Sequence, residues 1–169
     1  MKIVALIPAR AGSKRIKKKN LKKLLGQPLI SWTIKTAKKV NEISDIFVST
    51  DDEQIGQICN KLNIKVPWKR PKYLSGDKVS SENVALHFLK WYEKKYSKLD
   101  GLLLLQPTSP FRKKNSIIKA IKLFKKNKNK AIVSFSHIKK KKRINGSIYL
   151  ISSKILLTSF NDKMFMGAI

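Results

Sequence analysis

A chain of 169 residues with 42% hydrophobic content has the size of one ordinary domain and enough apolar side chains for a single core, which excludes a multidomain machine. Its 38 Lys and Arg against 10 Asp and Glu give a formal charge of +28 at pH 7, a balance that points to nucleic acid or another polyanion. Only five of the basic residues are arginines, namely Arg10, Arg15, Arg70, Arg112 and Arg143. The lysines come with abundant Ile and Asn, a mixture that AT-rich codons also produce, so a solvated lysine coat competes with selection for a polyanion.

Cys59 is the single cysteine and cannot form an internal disulfide, which fits a reduced, cytoplasmic compartment. It follows Ile58 in an apolar helical pattern and reads as core rather than nucleophile. The opening run Ile3 to Ile7 stops at Pro8, too short for a signal-peptide core of ~7–15 residues or a spanning helix of ~20. No later apolar run is longer, so a soluble cytosolic protein is expected.

In chain order, Ile3 to Ile7 is rich in β-branched residues and predicts a strand buried on both faces. A basic stretch from Arg10 to Lys23 leads to a turn at Gly26-Gln27-Pro28. From Leu29, residues Ile30, Ile34 and Ala37 recur at i, i+4 and i+7, an amphipathic helix. Ile46-Phe47-Val48 predicts a second buried strand, running into Ser49-Thr50-Asp51-Asp52. Ile55, Ile58 and Leu62 give another helix, and Ile64 to Trp68 a short strand closed by Arg70-Pro71. Val84, His87, Phe88 and Trp91 mark a third helix, with Ser80 or Ser81 as N-cap.

Leu102 to Leu105 predicts a strand that breaks at Gln106-Pro107-Thr108-Ser109-Pro110. Ile117, Ala120, Ile121 and Phe124 form a fourth helical stripe, Ala131 to Phe135 a strand, and Ser147 to Ile151 a last strand. The lysine-rich runs Lys125 to Lys130 and His137 to Arg143 read as solvated loops. The alternation argues for a three-layer α/β, Rossmann-like fold with a mostly parallel sheet. Ligands then belong at the carboxyl ends of strands, after Ile7, Val48 and Leu105.

The loop after the first strand combines a small-residue turn, Ala11-Gly12-Ser13, with several cations. Inward backbone N–H groups plus Arg and Lys suit a triphosphate. It is not a Walker loop, because Gly-x-x-x-x-Gly-Lys-Ser/Thr is absent. Asp51 and Asp52 are either metal ligands or a helix cap, with the cap favoured. His87 falls on an apolar helical face and reads as a packed core histidine, and His137 as surface.

Five motifs occur in order: Ile7 to Leu21 (Ile-Pro-Ala-Arg-Ala-Gly-Ser-Lys-x-Ile-x-x-Lys-Asn-Leu), Val48 to Asp52, Arg70-Pro71, Leu105 to Pro110, and Arg143-x-Asn145-Gly146-x-Ile148-Tyr149. Together they resemble the acylneuraminate cytidylyltransferases, the CMP-sialic acid synthetases and their relatives for legionaminic and pseudaminic acids. The resemblance implies a nucleotidyltransferase fold and a reaction of CTP with a nonulosonic acid to give CMP-sugar and pyrophosphate, with Mg²⁺ as cofactor. It implies Arg10, Lys14 and Lys19 as catalytic residues. Nucleotide contacts are implied at Ala9, Arg10, Gly12, Ser13, Lys14, Asn20, Arg70 and Ser81, and sugar contacts at Gln106 and Thr108. Independently of it, Arg10 and Arg70 lie inside these motifs and Arg112 just after the fourth, in a chain that otherwise uses lysine, as expected where a planar bidentate fork matters.

The sequence departs from the family in three places. Arg15 and Lys17 stand where the family usually has Gly and Pro. The insert that supplies sugar contacts and part of a dimer interface is reduced to Ser136–Ile144, which weakens the expectation of a homodimer. The late Asp-x-Asp-Thr-Glu motif that holds Mg²⁺ is absent, and Asp162 is the one acidic residue after Asp100. The expectation is a single domain over 1–169, shortened relative to the family. A non-catalytic nucleotide-binding remnant is the alternative. A nucleic-acid-binding protein is a second alternative, favoured by net charge but without an RNP, zinc-finger or basic-zipper signature and with aromatics at 8% for base stacking.

Overall fold

The structure, a computed structural model, describes residues 1–13, 16–127, 131–138 and 141–158. Its centre is a five-stranded sheet built from β1 (Ile3–Pro8), β4 (Asp45–Ser49), β5 (Gly101–Leu104), β6 (Ile132–Ile138) and β7 (Lys141–Ser152), in the order β4-β1-β5-β7-β6. β1 pairs in parallel with β4 and β5, while β7 is antiparallel to both β5 and β6. Four of the five strands therefore run one way. A separate two-stranded hairpin, β2 (Lys23–Leu24) and β3 (Gln27–Pro28), precedes the first helix.

Strict side-chain alternation in β1 divides the core in two. Ile3, Ala5 and Ile7 pack with Ile30, Ile34 and Ala37 of α1 (Leu29–Lys38), Ile55 and Cys59 of α2 (Glu53–Lys61), and Ile117, Ile121 and Phe124 of α4 (Lys114–Lys126). Val4 and Leu6 face the other way, onto Val84, Phe88 and Tyr92 of α3 (Ser81–Lys95) and Leu156 of α5 (Ser153–Thr158). The result is the expected three-layer sandwich. Cys59 is fully buried, and burial pushes its thiol up to about 12.

Several local expectations change. Ile64 to Trp68 does not form a strand but touches the edge of β4 through single bridges, Phe47 to Lys65 and Thr50 to Lys69. Pro67 has no N–H to offer a continuous ladder there. The turn expected at Gly26-Gln27-Pro28 lies one residue earlier, at Leu25-Gly26, both with positive φ, and Gln27–Pro28 is strand. The run read as a solvated loop from His137 to Arg143 is strand where it is described. Register pairs Phe135 with Ile144, Ser136 with Arg143 and His137 with Lys142. His137, Lys141 and Arg143 are exposed while their backbone pairs as strand, so charge alone did not mark a loop. Lys125 and Lys126 end α4, and Lys128 to Lys130 fall outside the described residues.

His87 is half-buried at the rim rather than in the core, its ring 5.0 Å from Trp68 and 6.4 Å from Tyr73. His137 is exposed as expected. Among the described residues, no helix is long and apolar enough to cross a membrane.

Candidate active site

From β1 the chain crosses through α1 to β4 on one side, and then passes α2 and α3 to reach β5 on the other. That reversal opens a crevice between the carboxyl ends of β1 and β5, where open α/β sheets hold their ligands. Pro8, Arg10, Gly12, Ser13, Lys19 and Asn20 line it from the first loop. Arg70 and the start of α3, with Ser80, Ser81 and Val84, line the far wall. Gln106, Pro107 and Thr108 close it from the end of β5.

The first loop is tied down at three points. The Ala9 N–H donates to the Ser49 carbonyl at 2.9 Å, and the Ala11 N–H to Asp51 Oδ1 at 2.7 Å. Asn20 Nδ2 donates to the Arg10 carbonyl at 3.1 Å, closing the loop onto its own beginning. Asn20 is buried for this reason, so its role here is to shape the loop. Ala9 is fully buried with its N–H already used, and it does not line the crevice. Lys14 lies outside the described residues.

Among the described residues, three cations face the crevice and no acidic side chain is part of its lining. Arg10 Nη1 is 2.6 Å from Asp77 Oδ1 and 3.4 Å from the Ser75 carbonyl. Lys19 is half-buried, with no ion pair among the described residues. Arg70 is 5% exposed. Its Nε donates to Ser49 Oγ at 3.0 Å, its Nη2 to the Ser49 carbonyl at 2.6 Å, and its own N–H to the Thr50 carbonyl at 2.7 Å. Burial pushes the Arg70 guanidinium down to about 10, with Asp51 opposing and Arg10 reinforcing the shift. A low-dielectric wall carrying one sign of charge concentrates anions.

The polar half of the crevice is neutral. Ser80 caps α3, its Oγ accepting from the Asn83 N–H at 3.3 Å. That leaves Ser81 as the next residue to face the opening, and Gln106 Nε2 reaches its Oγ at 3.4 Å. Thr108 is exposed on the same rim. Gly146 of β7, at φ +70°, lies against this wall: a Cβ there would sit 3.4 Å from Gln106 Oε1 and 3.5 Å from the Tyr149 hydroxyl. Tyr149 was legible only as part of the fifth motif, because nothing in the sequence shows that β7 lies beside β5.

Asp51 and Asp52 do not form a metal centre. Asp52 Oδ1 caps α2, accepting from the N–H groups of Gln54 at 2.9 Å and Ile55 at 3.3 Å, while Asp51 receives the Ala11 N–H. Among the described residues no three His, Cys, Asp or Glu side chains converge to hold a metal ion. The described side chains therefore do not fit a resident metal by themselves.

This topology, with a cation-lined crevice at its reversal point, is that of the nucleotidyltransferases. It matches a solved CMP:2-keto-3-deoxy-manno-octonic acid synthetase complexed with CTP, with a TM-score of 0.72 and 18% identity over 93% of this chain and 76% of that one. The chain belongs to the cytidylyltransferase family, which residues 4–159 match. It is 41% identical over 138 residues to a CMP-N,N'-diacetyllegionaminic acid synthase of Legionella pneumophila, covering 82% of this chain and 59% of that protein. It is 38% identical over 144 residues to an N-acylneuraminate cytidylyltransferase of Escherichia coli, covering 85% of this chain and 33% of that protein. The chain thus spans less than two thirds of the first relative and one third of the second.

Proposed function

We propose that this chain binds CTP and a nonulosonic acid and joins them, giving CMP-sugar and pyrophosphate. The observation that carries the reading is the division of one crevice into a cationic half, Arg10, Lys19 and Arg70, and a neutral hydrogen-bonding half, Gln106 and Thr108. A nucleoside triphosphate suits the first and a polyhydroxylated acid the second. The names of the two relatives support cytidylyl transfer to a nonulosonic acid.

In this reading the anomeric hydroxyl of the sugar acid attacks the α-phosphorus of CTP. The new O–P bond forms as the bond to the β-phosphate oxygen breaks, pyrophosphate leaves, and the hydroxyl proton passes to solvent. Catalysis then rests on alignment and on neutralising charge on phosphate oxygens. Arg10 and Lys19 act on the phosphates, with Lys14 beside them in sequence. Arg70 and Ser81 face the cytosine, and Gln106 and Thr108 orient the acid. Mg²⁺ accompanies the triphosphate, since it accepts phosphate oxygens and water with few protein ligands. Cytoplasm is the proposed site of action, where CTP is made and where a free thiol such as Cys59 persists.

Pyrophosphate release from CTP in the presence of Mg²⁺ and N-acetylneuraminic, legionaminic or pseudaminic acid tests the reading. Release that falls at least ~100-fold in Arg10→Ala or Lys19→Ala, the loss typical of an electrostatic stabiliser, is expected. No release with any of the three acids overturns it. Calorimetry that then shows CTP binding would leave a nucleotide-binding chain without turnover.

A further inference from the structure

Among the described residues, Arg112 is a cation buried without an anion. It is 7% exposed, and its donors go to neutral oxygens: Nε to the Ser147 carbonyl at 2.7 Å, Nη2 to the Gln106 carbonyl at 2.7 Å, and Nη1 to the Thr33 hydroxyl at 3.3 Å. No ion pair to it is found among the described residues. Burial alone pushes its guanidinium down to about 10. A buried, unpaired charge is costly unless its hydrogen bonds are unusually good, and this chain otherwise favours lysine.

The register of β5 and β7 shows what the fork does. The antiparallel ladder runs from Gly101 opposite Ser152 to Leu104 opposite Tyr149. Two residues further on, the same register would place Gln106 opposite Ser147. The ladder has ended there, and both carbonyls accept from the one guanidinium. Arg112 thus sits as a wedge where the ladder has ended, and the Thr33 hydroxyl of α1 accepts from its third nitrogen. One side of the wedge carries the Gln106 side chain, and the other carries Gly146 and Tyr149.

We propose that Arg112 is a positioning residue: it replaces the missing ladder bonds between Gln106 and Ser147 and so fixes the width of the acceptor half of the crevice. The acceptor clause rests on the function proposed above, whereas the clamp itself does not. A lysine keeps the charge but has a single nitrogen, which cannot span both carbonyls in the geometry of a planar fork.

The experiment compares wild type, Arg112→Lys and Arg112→Met by amide hydrogen exchange and by steady-state kinetics. Faster exchange in 106–110 and 144–149 together, with β1 and β4 unchanged, is expected in both variants. KM for the sugar acid should rise about tenfold in Arg112→Lys, roughly the loss of one charge-assisted hydrogen bond, with KM for CTP within about twofold. Unchanged exchange in the two segments overturns the clamp, and equal rises in both KM values overturn its restriction to the acceptor. Loss of cooperative unfolding in both variants marks Arg112 as a folding residue and also overturns the proposal. If wild type releases no pyrophosphate, the proposed function fails, while the exchange data still decide the clamp.

Discussion

The guanidinium of Arg10 is held by the carboxylate of Asp77, with Nη1 2.6 Å from Oδ1. Both side chains keep about a third of their surface in solvent, 30% and 38%, so the pair is worth little to stability. Its importance is positional, because a carboxylate occupies a face of the arginine that a phosphate oxygen could take. Asp77→Asn removes that competing charge and is expected to tighten CTP binding about three- to fivefold, equivalent to up to ~1 kcal/mol. Calorimetric titration at low and high salt checks this. Weaker binding in the variant would show instead that Asp77 orients Arg10 for its ligand.

Arg70 is fixed by a fork that grips both oxygens of Ser49. Arg70→Lys keeps the positive charge but loses at least one of these bonds in a buried place, at a cost of about 1.5–3 kcal/mol. Urea unfolding should show this loss, with CTP affinity falling as the wall of the crevice relaxes. A variant as stable as wild type would show that the fork is not what holds the Ser49 end of β4.

Gly101 opens β5 under the aromatic ring of Phe124. A Cβ at this position would lie 2.8 Å from two ring carbons and 3.2 Å from a Leu150 methyl. Gly101→Ala overpacks the junction of α4 with the sheet and should cost ~1–3 kcal/mol. The double variant Gly101→Ala with Phe124→Leu should recover part of that loss, as measured by thermal unfolding.

Gly146 combines a left-handed backbone, φ +70°, with contact distances of 3.4 Å and 3.5 Å from a Cβ to Gln106 and Tyr149. Gly146→Ala is therefore strained by ~1 kcal/mol or more and also intrudes on the neutral half of the crevice. The expected kinetic signature is a raised KM for the sugar acid with KM for CTP little changed. A rise confined to CTP would contradict the division of the crevice into two halves.

Cys59 gives the pH dependence with the clearest sign. Burial raises its pKa from about 9 in the unfolded chain to about 12 in the fold. The unfolded state therefore releases the thiol proton first, and the stability tied to the neutral thiol is complete below pH 9 and declines as pH rises from there toward 12. Cys59→Ala should lessen that alkaline decline in urea unfolding curves. Thiol labelling at pH 8 should be slow in the native protein and fast in urea.

The order of strands and helices was readable because burial imposes two periods on the sequence. Ile3 to Ile7 is apolar at every position since both faces of β1 are covered, and Ile30, Ile34 and Ala37 recur as one helical stripe for the same reason. Where neither period applies, reading failed. His137, Lys141 and Arg143 have exposed side chains and a strand-paired backbone, and side-chain polarity reports only on the first.

By itself the sequence determined the α/β alternation, the strand ends at which polar residues gather, and the arginines held apart from a lysine background. Local chemistry sets these: β-branched runs, helical stripes, and the need for planar donors where lysine will not serve. Tertiary structure alone decided that Ala9 is buried with its N–H on Ser49, that Asp51 accepts the Ala11 N–H, and that Asp77 meets Arg10 across 67 residues. It also decided that Arg112 joins the end of β5 to β7. Each is a contact between residues far apart in the chain, set by sheet order and register, to which no local pattern of residues is sensitive. The charge of +28 was thereby divided: Arg10, Lys19 and Arg70 face one crevice, and Arg112 is buried in the scaffold beside it.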